Sequence, residues 1–178
     1  CVNDTLTYTS TSTGTINNYN WNFGAGAIPP TANTAGPHVV YYTSVGTKTA
    51  SLSVNNPGGS NNSSSSVTVV SATVSQFSAQ NNDTLMVSFT DLSSNNPTAW
   101  TWDFGDGTFI NTPFGSTADN QTHTYTAAGN YAVTLTVYGA CGEDTYSEMI
   151  CIEPEVIASY TLDTQEGCIP LNVKAQNT

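Results

Sequence analysis

Two carboxylates in one short segment and, separately, one imidazole further on are the residues of this chain whose types could do chemistry. Asp103 and Asp106 lie three apart in Trp102-Asp-Phe-Gly-Asp-Gly107, and His123 follows in His123-Thr-Tyr-Thr-Ala-Ala-Gly-Asn-Tyr131. A retaining glycosidase needs two carboxyls about 5 Å apart across a cleft. Calcium needs six to eight oxygens, several of them carboxylate, usually from loops; Asp103, Asp106 and Asp119 are the set for that reading. Both glycines bias the segment toward one tight turn, in which aspartates accept backbone N–H bonds and glycines take positive φ. An earlier stretch, Tyr19-Asn-Trp21-Asn-Phe-Gly-Ala-Gly26, keeps Trp21, Phe23, Gly24 and Gly26 but has Asn22 and Ala25 in place of the two acids. A catalytic pair would not be dispensable in this way, so the turn reading is preferred and no catalytic residue is assigned. No motif places a Ser, Cys or acid with His123, which reads as structural, and His38, in the Pro- and Gly-containing stretch 28–39, reads as exposed.

Composition narrows the function further. The chain has 178 residues, two Lys, no Arg, thirteen acidic groups and a net charge of −11. It offers almost no cations to displace phosphate counterions, which argues against nucleic acid, and it would be repelled by anionic membrane surfaces. No apolar run approaches the roughly 20 residues that span a bilayer, and no signal-peptide layout is present, so a mature form or an internal piece is expected. Charge is uneven. Residues 1–71 hold one acid, Asp4, and one base, Lys48, whereas residues 72–154 hold nine acids and no base.

The elements that must position these residues are strands. In Tyr131-Ala-Val-Thr-Leu-Thr-Val137 the odd positions form an apolar face and the even ones are Ala or Thr, the mark of a half-buried strand; 85–89 and 50–54 alternate likewise. The chain also repeats. Asp4-Thr5-Leu6 recurs as Asp83-Thr84-Leu85, the Trp-containing turn recurs 81 residues on, and Gly46 with Ala50, Leu52 and Val54 recurs 83 residues on as Gly129 with Val133, Leu135 and Val137. Three copies are expected, over 1–71, 72–154 and 155–178. The Asn- and Ser-rich stretch 55–66 is expected to be a long hairpin loop before a last strand at 67–70.

The turn Trp102-Asp103-Phe104-Gly105-Asp106-Gly107, followed by His123-x-Tyr125…Gly129-x-Tyr131-x-Val-x-Leu-x-Val137, resembles the signature of the PKD (polycystic kidney disease) domain. The resemblance implies an all-β fold of tandem immunoglobulin-like sandwiches arranged as a rod: a PKD-like repeat lacking its first strand at 1–71, a complete PKD domain at 72–154 and the start of a third at 155–178. It implies inward-facing Trp102 and Phe104, and hydrogen bonds across the sheet from His123 and Tyr125. The implied topology puts Cys141 at the final hairpin of copy two and Cys1 at the pole of copy one facing it. A Cys1–Cys141 disulfide is therefore expected, with partners for Cys151 and Cys168 outside the chain.

The function implied is a non-enzymatic, extracellular structural or adhesive segment of a large surface or filament protein. Its partners would be neighbouring repeats, further copies or surface glycans, with calcium the only cofactor to weigh. Composition and motif resemble the large repeat proteins of Bacteroidota, including gliding adhesins exported by the type 9 system. There Thr5 and Thr84, in Asp-Thr-Leu, would be O-glycosylation sites. The rival reading is an accessory spacer or substrate-binding module of a secreted protease or polysaccharide hydrolase, for which Trp100 and one of Tyr41 and Tyr42 are the exposed aromatics.

Overall fold

The computed structural model describes residues 1–82, 85–112, 120–153, 158–162 and 175–177. All regular elements within them are strands. Copy one contains β1 (Thr5–Tyr8), β2 (Asn18–Asn22), β3 (Ala27–Ile28), β4 (Thr31–Ala32), β5 (His38–Tyr42), β6 (Gly46–Asn56) and β7 (Gly59–Val69). They form two sheets, ordered β1-β5-β3 and β4-β2-β6-β7. Copy two contains β8 (Phe77–Asn81), β9 (Met86–Asp91), β10 (Ala99–Asp103), β11 (Phe109–Thr112), β12 (Gln121–Thr124), β13 (Gly129–Gly139) and β14 (Gly142–Ile152), ordered β12-β9-β8 and β11-β10-β13-β14. A two-stranded sheet of β15 (Tyr160–Leu162) and β16 (Ala175–Asn177) follows. Every pairing is antiparallel.

Each pair of sheets closes on one core. In copy two, β13 turns Val133, Leu135 and Val137 inward, where they meet Val87 and Phe89 of the facing sheet around Trp102. Copy one assembles Trp21, Phe23, Leu52 and Val69 against Val40 and Tyr42. The aromatic pairs are homologous. Trp21 stacks on Phe23 at 5.6 Å and Trp102 on Phe104 at 6.4 Å, with Tyr8 and Phe89 tilted against them. Burying such rings supplies a large share of the stabilisation in a sandwich this small.

Three sequence expectations change here. The stretch 59–66 is not a loop: Gly59–Val69 pairs along its whole length with β6, from Asn56↔Gly59 to Gly46↔Val69. Ser and Asn favour loops by local propensity, but an unbroken ladder to an adjacent strand overrides that preference. The first-strand register also moves by two. Leu6 opposes Val40 while Val87 opposes His123, so Leu6 matches Val87 rather than Leu85. Finally, His38 is not in an exposed loop. It opens β5, its ring lies edge-on to Trp21 and Phe23 at 5.9 Å, and its Nε2 is 3.0 Å from the Thr34 carbonyl oxygen.

At the junction, Val2 N–H donates to the Val70 carbonyl at 3.0 Å and Asn95 donates to the Ala72 carbonyl at 2.7 Å. Ser75 is buried, its N–H donating to Asp144 Oδ2 at 2.7 Å and its hydroxyl to the Leu135 carbonyl at 2.8 Å. Cys1 and Cys141 are joined by a disulfide, with their Cα atoms 5.7 Å apart.

Candidate functional site

The turn after β10 is built from the backbone outward. Gly105 has φ +78°, and a Cβ there would lie 2.6 Å from the Ala132 carbonyl oxygen, because the turn rests directly on the backbone of β13. Gly24 repeats this in copy one, with φ +85° and the same 2.6 Å approach to the Thr49 carbonyl oxygen. Both positions need glycine for conformation and for space.

Above each glycine a tyrosine ties the turn down. Tyr125 donates its hydroxyl to the Phe104 carbonyl at 3.1 Å, and Tyr42 donates to the Phe23 carbonyl at 2.7 Å. Both rings are buried. Burial, then the Asp106 and Tyr131 charges, push the Tyr125 phenol up to about 12; burial, then the Tyr8 hydroxyl, likewise raise Tyr42.

The two acids have different tasks. Asp103 Oδ1 accepts the Gly105 N–H at 2.9 Å, and Asn22 Oδ1 accepts the Gly24 N–H at the same distance. An amide performs this role as well as a carboxylate, so the charge of Asp103 is incidental to the turn. Asp106 Oδ1 accepts the Thr108 N–H at 3.0 Å and the Thr108 hydroxyl at 2.6 Å, while Oδ2 lies 2.8 Å from His123 Nε2. Burial by itself would raise the Asp106 pKa. The bonds from the Thr108 hydroxyl, His123 and the Thr108 N–H outweigh it and bring the carboxyl from 3.8 down to about 2. His123 stacks flat on Phe104 at 4.2 Å and meets Tyr125 edge-on at 4.6 Å.

This arrangement clamps a turn and leaves little for catalysis. The Thr108 hydroxyl and the Asp106 carboxylate meet the same His123 nitrogen, Nε2, at 3.4 and 2.8 Å, so the imidazole does not link a nucleophile to an acid through its two nitrogens as a relay requires. Both Asp106 oxygens and one Asp103 oxygen already serve the turn. Among the described residues, no group of three or more His, Cys, Asp or Glu could hold a metal ion. Asp119, Thr84 and Cys168 lie outside the described residues. Thr5 is exposed at the start of β1, and Cys151 is exposed and unbonded. Gly107 has φ +91°, as does Gly26 at +78°, and Tyr131 stacks on Tyr125 at 4.1 Å.

The exposed-aromatic expectation fails at Trp100. It shares the inward parity of Trp102, is buried, and donates Nε1–H to Asp91 Oδ2 at 2.8 Å. Tyr42 is buried as well, leaving Tyr41 half-buried. No motif marked Asp91 or Asp144, since each bonds a group distant in sequence. Tyr42 as the counterpart of Tyr125 was accessible from the 83-residue offset.

The geometry defines immunoglobulin-like sandwiches, each pinned by one glycine–tyrosine turn. PKD-domain family models match residues 2–69 and 69–153. The PKD1 domain from Vibrio cholerae metalloprotease PrtV is 32% identical, over 47% of this chain and 99% of that one, with a TM-score of 0.41. The PKD1 domain of Vibrio anguillarum Epp is 28% identical, over 48% and 98%, with a TM-score of 0.42. An amphioxus IgVJ-C2 molecule is similar at 12% identity, over 83% and 95%, with a TM-score of 0.44. No curated protein matches. The chain belongs to the PKD-domain family, and its architecture is two tandem two-sheet β-sandwiches.

Proposed function

We propose that this chain is a non-enzymatic extracellular segment of a larger surface or filament protein, acting as a stalk that presents interaction surfaces to neighbouring repeats, other copies or glycans. One observation carries this reading: copy one keeps the Trp, Phe, Gly and Tyr frame while lacking both acids and the histidine, and copy two commits those same groups to holding a turn. Tandem sandwiches with short junctions sum their stability along a semi-rigid rod. A surface rich in Thr, Ser and Asn with few charges fits export, and a disulfide fits an oxidising compartment. The finer assignment, a type 9 exported protein of Bacteroidota glycosylated at Thr5 and Thr84, is supported by composition and by the Asp-Thr-Leu motif.

A second reading, an accessory module beside a secreted hydrolase, is favoured by the 32% identity to a domain of a metalloprotease. The mass and terminal sequences of the native protein separate the two. Many further repeats with a secretion or anchoring terminus support the stalk, whereas a hydrolase domain after one or two repeats establishes the accessory role.

A further inference from the structure

We infer that the Cys1–Cys141 disulfide is a mechanical shunt that carries tension past copy one and past β8 to β13 of copy two, so that β14 alone carries it through the second sandwich. The inference rests on the stalk reading and adds a mechanical property to it. The bond spans 140 residues of sequence while bringing the two Cα atoms within 5.7 Å. Tension entering at residue 1 has two covalent routes to residue 141: the short one through two sulfurs, and the long one through copy one, the junction and β8 to β13. The short route is taut while the long one is still folded, so residues 2–140 bear no load.

From Cys141 the load enters β14 directly. This strand starts at Gly142, opposite Gly139, and ends at Ile152, opposite Gly129. Force therefore enters at one end of the strand and leaves at the other, along its axis. Eleven residues at about 3.3 Å each already span roughly 36 Å, close to the extended limit of the chain. Tension straightens β14 slightly, and no rung of the ladder must break to release length. A stalk joint of this kind resists extension through its covalent path, whatever the stability of the sandwiches beside it.

Reduction changes the route. A dithiol supplies two electrons and two protons, leaves Cys1 and Cys141 as thiols and is itself oxidised to a disulfide. Tension must then pass through β1 and the rest of copy one. Unfolding residues 2–69 would release on the order of 200 Å, given a reach of about 3.4 Å per extended residue. The same joint is therefore stiff when oxidised and extensible when reduced.

The test is single-molecule stretching of the 178-residue chain by handles fused to its two termini, first oxidised and then with dithiothreitol added. The oxidised chain should show no step attributable to residues 1–153, and reduction should add steps that begin with one of about 200 Å. A C1S/C141S variant, checked for native circular dichroism, should reproduce the reduced trace without reductant; if it does not fold, the wild-type pair of traces decides. A 200 Å step in the oxidised chain, identical traces in both states, or free thiols at Cys1 and Cys141 after purification in air would overturn the shunt. The stalk reading would survive those results, since it depends on what flanks the chain.

Discussion

Copies one and two solve one problem with different chemistry. Both press a positive-φ glycine, Gly24 or Gly105, onto the backbone of the next long strand, and both lock the preceding carbonyl with a buried tyrosine hydroxyl. Around that shared frame they diverge. Copy two adds the Asp106–His123 pair and stacks Tyr131 on Tyr125. Copy one has Ala25 and Val40 at the first two positions, and buried Lys48, whose Nζ lies 6.0 Å from the Tyr42 ring centroid and bonds the Ser44 hydroxyl. The frame is therefore the part the fold requires, and the charged pair is an addition suited to the acidic copy.

The largest expected effect lies in the cores. Trp102→Ala should destabilise copy two by about 3–5 kcal/mol, read as the denaturant midpoint by circular dichroism. Trp21→Ala should cost less. Trp21 is 6% exposed where Trp102 is fully buried, and the ring of Phe77 packs 5.2 Å from Trp102. Equal losses would mean the two cores are equally closed.

Next come the glycines. Gly105→Ala should cost about 3 kcal/mol, combining a left-handed backbone with a clash against Ala132, and Gly24→Ala should match it. Gly107→Ala, with positive φ but open space around it, should cost only about 1–2 kcal/mol. A Gly107 effect as large as that at Gly105 would show that conformation alone, without close approach, governs the turn. Smaller again, Tyr125→Phe and Tyr42→Phe should each lose about 1–2 kcal/mol by leaving a buried carbonyl unpaired.

The smallest effect is a pH dependence confined to copy two. The folded Asp106 pKa of about 2 lies below the usual 3.8, so its contribution is complete above the usual value and fades as pH falls through 2. Below about pH 5 the difference in midpoint between wild type and Asp106→Asn should shrink, most of it between about 4 and 2. A difference that grows toward acid would reverse the assigned sign.

Much of this was legible in the residues. The period of two in 131–137 and the repeat offsets locate the long strands and both Trp turns, because alternation and glycine placement are local signals. The unbroken β7 was not, since Ser60 to Ser66 carry no apolar alternation and the strand exists only through its ladder to β6. Trp100 has the parity of Trp102, so the alternation that turns Trp102 inward buries Trp100 as well. The partners of Asp91 and Asp144 were invisible, because Trp100 and Ser75 reach them only through the tertiary fold.

The most direct test of the shared frame is to give copy two the copy-one residues, Asp106→Ala with His123→Val, and compare its denaturant midpoint with that of Gly105→Ala. The double variant should remain folded and lose less than Gly105→Ala does. A double variant that unfolds copy two, while Gly105→Ala leaves it near wild type, would show that the charged pair holds the turn and that the frame does not.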